Sequence, residues 1–461
     1  DSLSIAFSID PRARWHDGTP VTAADVRYSV KAFTDTAIGS SAASSLTNID
    51  SVQVKDSLTA VVWFKRHTPE QFFDLAYQVY ILPGHVYDSI PVAALRTSEA
   101  ATHPIGSGRF RFSKWEHGVE FEVLADTANY RGRPKLDRVV IVRADPAAAV
   151  AQVLSGQADL MDNFPIDQSA KLDGNPYARA VVVPTFGYGF LGFNLHAPKS
   201  KTAPHPVFGD VRVRRAVSMA VDRAAMVENV FAGRGKLSHG PFPMSVPFAD
   251  STLRLPPYDT TAARALLDSA GWRAGSDGMR AKNGRPLHFT IMVSSASVVR
   301  QRYAVLIQEQ LRKVGMQVDI EQLDFNKFVP RYQTSDFDAM LSAFSADPTP
   351  AGFQQSWGTS GLGQQNVVGY SNTRVDAMFD SAGLAFDPSK ERRYMSAAFQ
   401  QIVDDAPAVW LYDLSTIDAV NRRFTTAPPR PDGWWVDLAD WSIPADKRLD
   451  RDRIGLTPAK R

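Results

Sequence analysis

Three residues of this 461-residue chain stand where charge could meet a ligand. Asp347 closes the run MLSAFSADPTP, where a buried strand would hand over to a loop stiffened by Pro348. Ligands of open α/β sheets collect outside the carboxyl ends of the strands, so an acid there is placed to meet a cation. An Asx-type turn or helix cap is the plainer use of the same residue. Arg300 and Arg302 fall in the first turn of an expected helix over 299–314. Cations there oppose the helix dipole by a few tenths to about 1 kcal/mol. A bound anion would reverse that cost and use the free backbone N–H groups, whereas in the plain reading both side chains extend into water. An acid and two arginines beside one α/β lobe would suit a zwitterion.

Other reactive-looking stretches carry less. ARWHDGTPVTAADVRYSV places Trp15, His16 and Asp17 before a glycine, yet none of the nine histidines has another three to five positions away, so no paired-histidine metal motif exists. A polar turn before a capped helix accounts for it. GYGFLG at 187–192 satisfies G-x-G-x-x-G, but an extended, proline-broken segment follows where a dinucleotide site needs a helix. No Walker lysine motif and no G-x-S-x-G occur. The acids Asp404, Asp405, Asp437 and Asp440 read as solvated faces. Cysteine is absent, which removes thiolate chemistry and disulfides. No catalytic residue, metal ligand or cofactor is assigned.

The elements that must position Asp347 and the arginines follow from periodicity. From about residue 210 the chain alternates helix and strand with short connections, including strand LHFTIMVSS, helix VVRQRYAVLIQEQLRKVG ended by Gly315, strand QVDIEQL and strand FDAMLSAF. That order indicates an α/β lobe. Before it lie a strand in SLSIAFSI, a helix opened by a Thr22–Asp25 capping box, two hairpins, and a helix ending at Gly156. The stretch 199–209 and the tail TTAPPRPDGWW are the boundary candidates. A net charge of +2 gives no field for nucleic acid, and no apolar run approaches the roughly 20 residues of a spanning helix.

In chain order, FSIDPRARWHDGTPVTAADVRYSV, GSGRFRF, GFLGFN, DVRVRRAVSMAVDR, YDTTAARALLDSAGW, VGMQVDI and SADPTP resemble the extracytoplasmic solute-binding proteins of peptide/nickel-type ABC importers. The resemblance implies an α/β, two-lobed periplasmic binding protein-like fold of the large cluster C type with a ligand cleft between the lobes. The N-terminal lobe would span 1–188 with an inserted subdomain at about 15–100. The second lobe would span 189–418, and 419–461 would return to the first. Crossovers near 186–195 and 415–424 would form the hinge. Asp347 would receive a ligand amino group, and backbone atoms of Phe344, Ser345 and Ala346 would line its main chain. Arg302, with Arg300 second, would take a carboxylate, while Tyr188, Phe190 and Trp357 would supply apolar wall. The implied function is capture of a small peptide or peptide-like zwitterion for an inner-membrane ABC permease, by a monomer in the periplasm or tethered by lipid outside the cytoplasm. An oligosaccharide, opine or nickel-chelate binder is the alternative within the family, and a hydrolase the rival outside it. Members carry some tens of residues and a signal region before the stretch matching LSIAFSID, so the chain is expected to be shortened at its start.

Overall fold

The computed structural model describes residues 3–453. Its frame is a seven-stranded sheet threaded by two long antiparallel strands, Ala178–Phe193 and Ala408–Asn421. At 16 and 14 residues they are more than twice the usual strand length, which lets them serve two halves of the sheet. In one half the first long strand pairs antiparallel with Ala339–Ser345, which is followed by the parallel strands His288–Ser294 and Gln317–Leu323. In the other half the second long strand pairs with Leu160–Met161. Between the halves the ladder slips, passing from Asp413 opposite Tyr188 to Ser415 opposite Pro184. The break lies at the start of the first expected crossover and just ahead of the second.

Strand alternation divides the upper core into two clusters. Phe289, Ile291, Val293, Leu341, Leu191 and Leu411 face helices Val211–Ala220, Thr260–Ser269 and Val298–Arg312. Met292, Met340, Tyr188, Phe190 and Trp410 face helices Pro350–Trp357, Thr373–Gly383 and Pro388–Asp405. A sheet covered on both faces needs apolar residues at every position, so these strands read as unbroken hydrophobic runs. The GYGFLG stretch lies inside the first long strand, and its glycines serve packing. A Cβ on Gly189 would stand 2.2 Å from Cζ of Tyr412, so the partner's ring lies directly on the backbone.

In the lower half, Ile417 and Ala419 pack with helix Pro146–Leu154 through Val150 and Val153. A three-stranded sheet of Ser4–Ser8, Thr59–Phe64 and Ile49–Asp56 packs beside helix Ala23–Thr34. The W-H-D-G loop is structural. Trp15 is buried and its indole N–H donates to Asp25 Oδ2 at 3.3 Å. Asp25 also caps the helix through Thr22 N–H and accepts from Gly84 N–H, each at 2.8 Å. His16 Nε2 lies 2.8 Å from the Gly108 carbonyl, and Gly18 takes a φ of +90°. The tail after Asn421 lies back on early segments: Lys135 N–H donates to Ala439 O and Arg109 pairs with Asp440. Among the described residues no helix is long and apolar enough to cross a membrane.

Candidate functional site

Strand Ala339–Ser345 delivers Asp347 to the seam between the α/β half and the N-terminal helix Gln71–Gln78. The turn is tight: Thr349 N–H donates to the Asp347 carbonyl at 2.7 Å, and a Cβ on Gly352 would stand 2.5 Å from that same oxygen. Helix Pro350–Trp357 then starts under a Thr349 cap. Across the seam, Gln78 Nε2 donates to Asp347 Oδ2 at 3.1 Å, and Ala351 N–H donates to Glu70 Oε1 at 3.3 Å. The His67 ring stacks on Phe386 with centroids 4.0 Å apart.

Negative charge dominates this seam. Burial lifts the Asp347 carboxyl above the ordinary range, against the Gln78 amide. Glu70 is pushed from 4.5 to about 7, chiefly by burial; the Ala351 amide opposes this, while Asp74, Glu391 and Asp347 add to it. Asp74 is pushed to about 6 by burial and by Asp347. Burial also raises Glu391, which Arg392 partly offsets. Among the described residues none of these four carboxylates forms a salt bridge, and no group of three or more acids or histidines is arranged to hold a metal ion. The chemistry the seam lacks is a cation held by hydrogen bonds.

Main chain is available beside it. One edge of Ala339–Ser345 pairs with the first long strand as far as Ser345 opposite Gly187, and Ala346 N–H continues to Phe186 O at 3.2 Å. The other edge pairs with His288–Ser294 only from Ala339 to Leu341. Beyond that point, next to Phe344, Ser345 and Ala346, the edge has no strand partner among the described residues. Such an edge can accept an extended chain as an added strand.

The expected apolar wall needs correction. Tyr188, Phe190 and Trp357 each have 0% exposure, so they have no surface to offer a ligand here. They form the layer behind the wall. Trp357 Nε1–H donates to the Tyr188 hydroxyl at 2.6 Å, and burial holds that phenol far above its ordinary pKa. Phe344 is the half-buried member of this stack, edge-on to Phe190 with centroids 4.6 Å apart. Ser345 is exposed and Ala346 buried.

The two arginines lie on different faces of their helix. Helix Val298–Arg312 is capped by Ser297 and buries Tyr303. Arg300, three residues before Tyr303, shares its face. It is half-buried and lies near Tyr412, where its charge works against the burial that raises that phenol. Arg302 lies about 200° round the helix from Arg300 and is exposed. Tyr412 pairs with Gly189 as Ser345 pairs with Gly187, so Arg300 and the Asp347 strand flank one short stretch of the first long strand.

Sequence reasoning missed the facing wall. Glu70, Asp74 and Gln78 in PEQFFDLAYQ recur every four residues, a spacing that puts them on one helix face. That signal was readable, although its partner was not. The tail loop was missed as well. The Tyr77 phenol is raised by burial and then by the charges of Asp347 and Asp432, so Asp432 in the tail loop acts on the same helix as Asp347.

A family model described as bacterial extracellular solute-binding proteins, family 5 Middle, matches residues 1–365. The oligopeptide-binding protein AppA of Bacillus subtilis is 28% identical over 420 residues, 89% of this chain and 75% of that protein. The solved structure of Bacillus subtilis AppA in complex with a nonapeptide matches with TM-score 0.74 at 25% identity, covering 96% of this chain and 88% of that one. NikZ from Campylobacter jejuni in complex with Ni(L-His) matches with TM-score 0.77 at 22% identity, over 96% and 88%, and bears on the fold alone.

Proposed function

Since the chain belongs to family 5 of the bacterial extracellular solute-binding proteins, the binding components of ABC importers, we propose that its solute is a small peptide or peptide-like zwitterion held in the Asp347 seam. It acts outside the cytoplasmic membrane and hands that solute to an ABC permease. The ligand ammonium sits at Asp347 and replaces the Gln78 amide. Its main chain runs along the unpaired edge at Phe344, Ser345 and Ala346, with Phe344 as the apolar surface. Arg300 takes the far carboxylate, at the cost of its Tyr412 contact. The cycle is capture, closure and release with no bond broken.

One observation carries this reading: a half-buried carboxylate at a strand end, near three further acids and a neutral amide, with no salt bridge to any of the four carboxylates among the described residues. A charge-assisted hydrogen bond from an ammonium is stronger than one from an amide. Titration calorimetry with tri-alanine and N-acetyl-tri-alanine tests it. The free amine should bind and the acetylated peptide should bind at least roughly tenfold more weakly, with both recovered intact by mass spectrometry. Equal binding of the two would remove Asp347 as an amine receptor, and cleavage of either would remove the transport reading.

A further inference from the structure

The face of the lower sheet opposite the Ile417–Ala419 cluster carries a carboxylate the seam does not use. Asp418 has 2% exposure. Its Oδ1 accepts from Asn163 N–H at 3.2 Å, but no donor reaches Oδ2. Thr416 is the neighbouring hydroxyl on the same face and slightly favours the charged carboxylate, while Asp162 adds a like charge nearby. Oδ2 itself has no hydrogen-bond partner, and Arg179 turns away to the Thr426 hydroxyl at 3.1 Å. Asp418 lines a cavity of about 10 Å³ whose walls include Val181, Val183, Val420, Trp434 and Trp441. The two indoles stand 6.0 Å apart, and the exposed Pro428 and Pro429 form the rim.

The space admits one water-sized group. Besides Asp418, the polar side chains on these walls are Thr426, whose hydroxyl accepts from Arg179, and a second acid, Asp437; the rest is mostly aliphatic and aromatic. A water there needs two to four polar partners, and two carboxylates favour a cation over a neutral molecule. An ammonium nitrogen is of similar size, carries the charge the carboxylate lacks, and gains from aromatic faces within about 6 Å. It also brings its own carbon chain to lie between the prolines and the Trp434 ring. A guanidinium, with three nitrogens, is too large.

We propose that Asp418, Trp434 and Trp441 form a binding site for a primary alkylammonium group. Burial lifts the Asp418 carboxyl to about 6, so at neutral pH it is charged and ready to pair. The group can arrive as the lysine side chain of a bound peptide or as a free amine. The site does not depend on the peptide reading, because its first test contains no peptide.

That test follows the melting temperature of the full chain in n-butylammonium, sodium and tetramethylammonium chlorides at equal ionic strength. Butylammonium alone should raise it, saturably, and Asp418→Asn should abolish the rise. If Asp418→Asn fails to fold, Trp434→Leu at the half-buried rim should weaken it instead. Calorimetry with tripeptides carrying lysine at position two or three, against norleucine at the same position, separates the sources. A roughly tenfold gain for lysine that disappears in Asp418→Asn identifies a ligand side chain; no gain, with butylammonium still bound, identifies a free amine. Butylammonium behaving like sodium on the wild type would mean that the cavity holds water only. Equal effects on wild type and Asp418→Asn would likewise overturn the site.

Discussion

Replacing Glu70 by Gln tests the electrostatics of the seam with little change of shape. The amide keeps an oxygen for Ala351 N–H, the contact now made at 3.3 Å, so what is lost is the charge. Glu70 titrates near 7 in the closed seam against an ordinary 4.5, mainly because it is buried. The folded chain therefore holds this proton more tightly than the unfolded chain does. Stability falls as pH rises from about 4.5 to 7, and the full cost is present above 7. Each tenfold difference in proton affinity between the folded and unfolded chain is worth about 1.4 kcal/mol, which puts that cost on the order of 3–4 kcal/mol. Asp74, raised to about 6, adds a second fall between 3.8 and 6. Melting temperature measured from pH 5 to 8.5 for wild type and Glu70→Gln is the assay. The variant should melt several degrees higher at pH 8, the two curves should converge toward pH 5, and the variant's curve should be the flatter. Parallel curves, or a variant no more stable than wild type at pH 8, would show that the buried charge costs nothing.

Three other perturbations follow from the same geometry. Asp347→Ala should weaken binding of an amine-bearing peptide by roughly 30- to several-thousand-fold, the factor for losing one partner of a desolvated pair worth about 2–5 kcal/mol. Calorimetry reads this, and a mutant that melts earlier yet binds as tightly would make Asp347 a turn residue. Arg300→Ala should erase the preference for a free peptide carboxylate over its amide while the exposed Arg302→Ala leaves it unchanged; the opposite result would restore Arg302 as the receptor. Gly189→Ala should lower the melting temperature by the equivalent of about 1–3 kcal/mol, since its Cβ would stand 2.2 Å from the Tyr412 ring; a wild-type melt would refute that packing.

Legibility in the sequence followed the range of the interaction. Caps and periodicity act within a few residues, so the Thr22–Asp25 box, the Ser297-capped helix and the strand leading to Asp347 could all be placed. Which side chain faces a cleft depends on what lies opposite. Tyr188, Phe190 and Trp357 read equally well as wall or as core, and only the packing of Phe344 over them decides for core. Arg300 and Arg302 differ by two positions on one helix, and the burial of Tyr303 selects between them. The four-residue repeat of Glu70, Asp74 and Gln78 was visible, but Asp347 stands 269 residues beyond Gln78.

That separation has a mechanical consequence. The acids on one side of the seam belong to a segment before the first long strand, and Asp347 to a segment between the two. Among the described residues only those two strands carry the central sheet from one half to the other, and their ladder is interrupted between Pro184 and Tyr188. In the proposed binding cycle, bending there would part the carboxylates and let water screen them, so that charge repulsion would favour an open form while the hydrogen bonds of Gln78 and Ala351 hold the seam together. On the same proposal, a ligand ammonium at Asp347 would cancel the repulsion only when the seam is shut, and an interaction made in one state alone is what shifts a population toward it. The carboxylates that burial makes costly to ionise in the seam would then be the same groups that make the proposed closure respond to a cationic ligand.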